Sequence, residues 1–227
     1  MGVVVVRPEP GHAATIAALR EAGLEAKSLP LFAARPLDWI APELDRFDAI
    51  LFTSAQGVRL AGPALDAIRC KPVIAVGPAT AAAAREAGLS VVLTGTSDAA
   101  AVADAAQAQG HERLLHLAGR DRVETDAMTR IVYAADPVVV DSDAIRALAG
   151  KIILLHSARA AARLAELADD AGVPRTAIAL VAISAKTAAA AGTGWREVAI
   201  AAAPRDDAMV AAARALTEAV ATGISGA

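Results

Sequence analysis

LFTSAQGVRL (residues 51–60) returns in weakened form as LLHSARAAAR (residues 154–163), and VIAVGPATAAAA (residues 73–84) returns as LVAISAKTAAAA (residues 180–191). Ser54 and Ser157 stand 103 residues apart, Thr80 and Thr187 107 apart, so the two copies differ by a few loop residues. A period of that length is too large for a solenoid unit and fits duplication of a whole module. Two like modules in one chain create a crevice, and a ligand is expected in it.

Working outward from the repeat, strands and helices alternate. Residues 3–6 are an uninterrupted valine run, as in a strand buried on both faces, ended by Arg7-Pro8-Glu9-Pro10. A one-sided apolar pattern over residues 13–22 predicts a helix stopped by Gly23, and residues 26–32 predict a second strand. Further strands are predicted at residues 49–52, 73–76, 91–93, 114–117, 152–155, 179–182 and 198–201. Ala-rich helices between them end at Gly88, Gly110, Gly172 and Gly194. This alternation is the signature of parallel βαβ units, and the fold class is α/β: two similar domains, each a parallel sheet flanked by helices.

Proline marks two crossings between the domains, at Ala33-Ala34-Arg35-Pro36-Leu37 and at Ala134-Ala135-Asp136-Pro137. The repeat then makes residues 1–34 and 139–227 one discontinuous domain and residues 38–131 an inserted one, with residues 35–37 and 132–138 as linkers. A double connection of this kind is expected to act as a hinge.

The chain has 227 residues, enough for two modest cores, and is 56% hydrophobic but 3% aromatic, so both cores must be built from Ala, Val, Leu and Ile. Against 25 Asp and Glu stand 22 Lys and Arg; a net charge of −3 supplies no field for nucleic acid or an anionic membrane, and neither partner is expected. No apolar run reaches spanning length and the first residues lack the pattern of an export signal, which together point to a cytoplasmic location. Cys70 is alone, so no disulfide forms within the chain; its neighbours Arg69 and Lys71 leave a lowered thiol pKa as the alternative to a structural thiol.

Open parallel sheets bind ligands beyond the carboxyl ends of their strands. The residues that follow those ends are Thr53, Ser54, Ala55 and Gln56, then Gly77, Pro78 and Thr80, in the first copy. In the second they are His156, Ser157 and Arg159, then Ser184, Lys186 and Thr187. Each hydroxyl has two readings: it caps a helix, or it joins the free first amides of that helix in holding an anion. Arg7, after the first strand, either meets a ligand carboxylate or pairs with a carboxylate such as Glu9; Arg120 and Arg122 carry the same two readings. GxGxxG, GxxxxGK[ST], CxxC and HExxH are absent, TSAQG lacks the partners of a nucleophile elbow, and His12, His111, His116 and His156 have no ligand spacing, so no metal is expected.

VVVVRPEP at residues 3–10, ILFTSAQGV at 50–58, AVGPATAAAAREAG at 75–88 and IVY at 131–133 together resemble the uroporphyrinogen-III synthase family in order, spacing and duplication. The resemblance covers nearly the whole chain. It implies two α/β domains joined by a two-stranded linker and an enzyme that needs no cofactor. That enzyme closes hydroxymethylbilane, a linear tetrapyrrole bearing eight carboxylates, while inverting the last ring. Loss of the terminal hydroxyl gives an azafulvene; the far pyrrole attacks at its substituted carbon, and a spiro intermediate rearranges. Since the bilane also closes unaided to the uninverted isomer, the protein's task is mainly to select a conformation, with acid help to the departing hydroxyl. By the same resemblance the proton donor is a tyrosine that falls on Tyr133, whose other reading is a packing residue of the linker. His156 stands where the family has Thr or Ser, Ser184-Ala185 where it has Gly-Pro, and residues 118–132 are too few for the helix and strand the family carries there. A monomer is expected. Two other classes stand beside the enzyme: a binding protein without chemistry, and a cytoplasmic regulatory module derived from the same fold.

Overall fold

The computed structural model describes residues 1–9, 11–95, 99–122 and 124–221, of which 99, 100, 220 and 221 are described by backbone alone. In chain order the elements are β1 (Val3–Val5), α1 (Gly11–Glu21), β2 (Ala26–Ser28), β3 (Phe32–Pro36), β4 (Ala49–Phe52), α2 (Ala55–Arg59), β5 (Val73–Val76), α3 (Pro78–Glu86), β6 (Val91–Gly95) and α4 (Ala99–Gln107). Then follow β7 (Leu114–Gly119), β8 (Met128–Pro137), α5 (Ser142–Arg146), β9 (Ile152–Leu155), α6 (Ala158–Asp170), β10 (Ala179–Ala182), α7 (Ala185–Ala191), β11 (Glu197–Ile200) and α8 (Asp206–Ala221). The chain groups into two compact units, Met1–Ala33 with Pro137–Ala227, and Ala34–Asp136.

The first unit holds a five-stranded sheet of order β11-β10-β9-β1-β2, parallel throughout. One face of it, Val3, Val5, Ile152, Leu154 and Val181, packs on Ile16 and Leu19 of α1 and on Met209, Ala213 and Leu216 of α8. The alternate residues Val4, Ile153, Leu155 and Leu180 are equally buried, as are Ala160, Ala161, Leu164 and Ala168 of α6. Strands covered on both faces cannot alternate polar with apolar, which is why they read as continuous Val, Ile and Leu runs. Each fully buried Leu or Ile is worth roughly 1.5–3 kcal/mol. Alanines on the helices let backbones approach closely where aromatic rings are absent.

The second unit is carried by a sheet of order β3-β8-β7-β4-β5-β6. Ile50, Phe52, Val73, Leu115 and Leu117 face Val58 of α2 and Ala83 and Ala84 of α3, while Ala49, Leu51, Ile74 and Leu114 face Val102 and Ala106 of α4. Gly57 permits the α2 contact: a Cβ there would lie 2.9 Å from the carbonyl oxygen of Leu117. The duplication is legible in the sheet orders, since β4, β5 and β6 stand to β7 and β8 as β9, β10 and β11 stand to β1 and β2.

The copies differ in one connection. Between β1 and β2 the chain makes α1, whereas between the parallel neighbours β7 and β8 it makes only residues 120–127, with no helix among the described ones. Parallel strands are ordinarily joined by a dozen residues or more. On the face of this sheet that carries α4, a cavity of about 790 Å³ opens beside Leu51, Ala103, Gln107, Leu114 and Thr125.

Three readings of the sequence need correction. The strand expected at residues 26–32 breaks at Leu29-Pro30-Leu31, because proline has no amide for a ladder; Leu29 and Leu31 instead donate to the carbonyls of Val5 and Val6 at 3.0 Å each. The second half leaves as β3, which joins the other sheet. The linker residues 35–37 and 132–138 are therefore largely strand, within β3 and β8, and Pro36 is tolerated as the last residue of an edge strand. Gly192, at φ 73, rather than Gly194 ends α7.

Candidate active site

In the second unit β4, β5 and β7 are parallel, so Thr53, Gly77 and Gly119 come to the same edge of one sheet. Ser54 is extended at φ −150 and its Oγ accepts from the amide of Gln56 at 3.2 Å. Gly77 precedes α3 at φ 92 and ψ 156, with Pro78 in the first turn. That conformation is nearly restricted to glycine, and with no capping side chain it leaves the first amides of α3, at Ala79 and Thr80, without a carbonyl one turn back. The Thr80 side chain is 4% exposed, so what it can offer at this edge is its amide.

Tyr133 reaches the same edge from β8. It lies opposite Gly119 in the β7–β8 register, at a point where the register shifts, and its carbonyl accepts from the amide of Arg120 at 2.9 Å. The ring covers Gly119 so closely that a Cβ there would stand 2.6 Å from Cζ and 2.8 Å from the hydroxyl oxygen. Among the described residues the Tyr133 hydroxyl has no hydrogen-bond partner. Arg120 donates to Asp136 at 2.9 Å, and Asp136 is also paired with Arg35, which holds the carboxylate below its ordinary pKa. Arg120 thus ties the end of β7 to the end of β8. Arg122 pairs with Glu124 at 3.0 Å.

His116 lies behind Thr53. It is 0% exposed, and its ring joins two threonines: Thr53 Oγ1 is 3.0 Å from Nε2 and Thr125 Oγ1 is 3.2 Å from Nδ1. Burial in the sheet, reinforced by the charge of Arg122, lowers its pKa to about 4, so the ring is neutral at physiological pH.

The first unit presents Arg7, His156-Ser157 and Ser184 at the carboxyl ends of β1, β9 and β10. Ser157 Oγ accepts from the amide of Ala160 at 3.2 Å and Ser184 Oγ from the amide of Thr187 at 3.3 Å. Both act as caps, and the first amides of α6 and α7 remain without a carbonyl one turn back. Thr187 is 3% exposed, its hydroxyl 3.1 Å from that of Ser184, whereas Lys186 is exposed and makes no ion pair among the described residues. Arg7 Nη1 donates to both oxygens of Asp206, at 3.0 and 3.1 Å. Thr15 donates to the same carboxylate at 2.8 Å, and His156 Nε2 is 3.3 Å from it. The His156 contact, with help from Thr15 and Arg7, holds Asp206 at about 2, while desolvation lowers the pKa of His156.

The sequence reading missed His116, Thr125, Thr15 and Asp206. Asp206-Asp207 in the first turn of a helix was the signal available for one of them. No group of three or more His, Cys, Asp or Glu among the described residues could hold a metal ion. Cys70 is exposed.

His116 and His156 fix a pH dependence. Both folded pKa values are depressed, that of His116 to about 4, so below the ordinary 6.5 the unfolded chain binds more protons, and stability rises with pH there. Lowering the pH from 7 to 5 is expected to reduce the unfolding free energy, with His116 alone contributing at most about 1.4 kcal/mol per pH unit. Asp206 continues the loss below its ordinary 3.8. Urea midpoints across this range measure the effect; midpoints unchanged from pH 7 to 5 would contradict it.

A family model described as uroporphyrinogen-III synthase HemD matches residues 13–211. Among solved structures, the uroporphyrinogen-III synthetase of Helicobacter pylori is similar at 17% identity and TM-score 0.67, covering 95% of this chain and 99% of that one. A mutant uroporphyrinogen III synthase of Thermus thermophilus is similar at 16% identity and TM-score 0.55, covering 98% and 100%. At such identities these likenesses concern the fold. Comparison with curated protein sequences finds no significant match.

Proposed function

Because this chain belongs to the uroporphyrinogen-III synthase family, we propose that it selects its product by holding carboxylates at the carboxyl edges of its sheets and supplies one proton from Tyr133. The reaction is the family's: a cyclising lyase takes hydroxymethylbilane, expels water and closes the ring with the last pyrrole inverted. No helix among the described residues is long and apolar enough to cross a membrane.

The observation that carries the residue assignment is the placement of Tyr133. A phenol with no hydrogen-bond partner among the described residues lies over Gly119 on the sheet edge that also bears Thr53, Ser54 and Gly77. Departure of hydroxide from the bilane is slow unless the oxygen is protonated as it leaves, and a positioned O–H supplies that proton. The azafulvene that forms is then attacked without further help from a nucleophilic side chain. Propionate and acetate groups of the substrate are anionic, and helix starts suit them because the amides point outward and the peptide dipoles favour negative charge. In the second unit these contacts are Thr53, Ser54, Ala55, Gln56, Gly77, Pro78 and Thr80. In the first they are Ser157, Ser184, Lys186 and Thr187, with α6 and α3 the helices long enough to carry an appreciable dipole. Arg7 and Arg120 already bond to Asp206 and Asp136, so their share is to keep the edge fixed, with direct carboxylate contact confined to the guanidinium face those aspartates leave open. The protein acts as a cytoplasmic monomer in this reading.

Freshly prepared hydroxymethylbilane, with the product isomers resolved by chromatography, tests the reading. Predominantly type III uroporphyrinogen at a rate proportional to protein supports it. Only type I at the spontaneous rate, with the bilane bound, would assign the chain to a binding role without chemistry.

A further inference from the structure

His116 is the one fully buried histidine of the chain's second unit, and the elementary chemistry of its ring restricts what Thr53 can do. A neutral imidazole has one N–H and one bare nitrogen. If Nδ1 carries the proton it donates to Thr125, and bare Nε2 takes the Thr53 hydroxyl proton, leaving only oxygen lone pairs toward solvent. Lone pairs repel a carboxylate. If Nε2 carries the proton the roles reverse: Thr125 donates to Nδ1, Nε2–H donates to Thr53 Oγ1, and the Thr53 proton is free to be donated outward. Thr53 is itself partly exposed at the sheet edge, so its proton has somewhere to go. Only the second arrangement lets this threonine hold an anion.

We infer that His116 is a positioning residue, anchored at Nδ1 by Thr125 as its Nε2–H tautomer and orienting the Thr53 hydroxyl to donate to a substrate carboxylate. Thr125 comes from residues 120–127, the connection that takes the place of a helix between β7 and β8, so the shortened segment supplies one of the two hydroxyls that hold the ring. The inference rests on the reading of Thr53 as a carboxylate contact.

The experiment combines ring nitrogen NMR of histidine-labelled protein with steady-state kinetics on hydroxymethylbilane for Thr125→Val, Thr125→Ser and Thr53→Val. The wild-type His116 signals should be those of the Nε2–H tautomer. Thr125→Val, which leaves Nδ1 without a partner and the ring without its second anchor, should shift or broaden these signals and raise KM about threefold to tenfold, the scale of one hydrogen bond, with kcat for the type III product changed less than about twofold. Thr125→Ser, which keeps the hydroxyl, should restore both signals and KM. A wild-type Nδ1–H tautomer overturns the inference. So does a Thr125→Val variant with unchanged KM while Thr53→Val raises it, a result that leaves the Thr53 reading intact. If neither variant alters KM, Thr53 does not hold substrate, and the inference falls with that reading.

Discussion

Tyr133→Phe should slow type III formation about tenfold, and Gly119→Val should do the same while leaving the tyrosine itself in place in the sequence. General acids typically contribute about 10²–10⁴ in rate, but the bilane also sheds its hydroxyl unaided, which places the expected loss at or below the lower end. The Gly119 effect follows from space. A Cβ at that position would stand 2.6 Å from Cζ of Tyr133, so the ring must swing away and take its hydroxyl with it. Gly119 is not in the left-handed region, and the substitution therefore carries no backbone strain of that kind. The decisive comparison is the double variant. If both changes remove the same proton donor, Tyr133→Phe with Gly119→Val slows the reaction no more than either alone. Effects that multiply, or a Gly119→Val protein with undiminished kcat, would detach Tyr133 from the chemistry.

Gly77→Ala is expected to act on binding and stability together. At φ 92 and ψ 156 any other residue is strained whatever the space around it, and a cost of about 1–3 kcal/mol follows. Relief of that strain tilts the start of α3 and moves the amides of Ala79 and Thr80, so KM should rise severalfold with kcat affected less. Chemical denaturation and steady-state kinetics read the two effects separately. A variant as stable as the parent would mean the turn at Gly77 is not held as described; a destabilised variant with unchanged KM would remove the α3 amides from the binding surface.

How far the sequence carried this picture depends on the distance over which each signal acts. The duplicated LFTSAQGV and VIAVGPAT stretches are local patterns, and they gave the strands β4, β5, β9 and β10 to the residue. The caps at Ser54, Ser157 and Ser184 were equally legible, because capping couples residues two or three apart. Pro36 misled for a different reason. Proline forbids a central strand but not an edge, and edge position is a property of the sheet, not of the peptide. The Arg7–Asp206 pair joins residues 199 apart in sequence, and the Thr53–His116 contact joins residues 63 apart. Nothing in either local segment announces such a partner. A buried histidine in a run of leucines looks like a solitary polar defect until the strand beside it supplies the hydroxyl.

Selection of the product turns on carboxylates being held by helix-start amides and hydroxyls at the sheet edges. Its most direct test is an amide-resolved NMR titration with a bilane that lacks the departing hydroxyl and therefore binds without closing. The amides of Ala55, Ala79, Thr80, Ala158 and Ala185 should shift together at substoichiometric ligand. Silence at all five, with shifts confined to residues such as Asp104 and Gln107 beside the cavity on the α4 face, would contradict it.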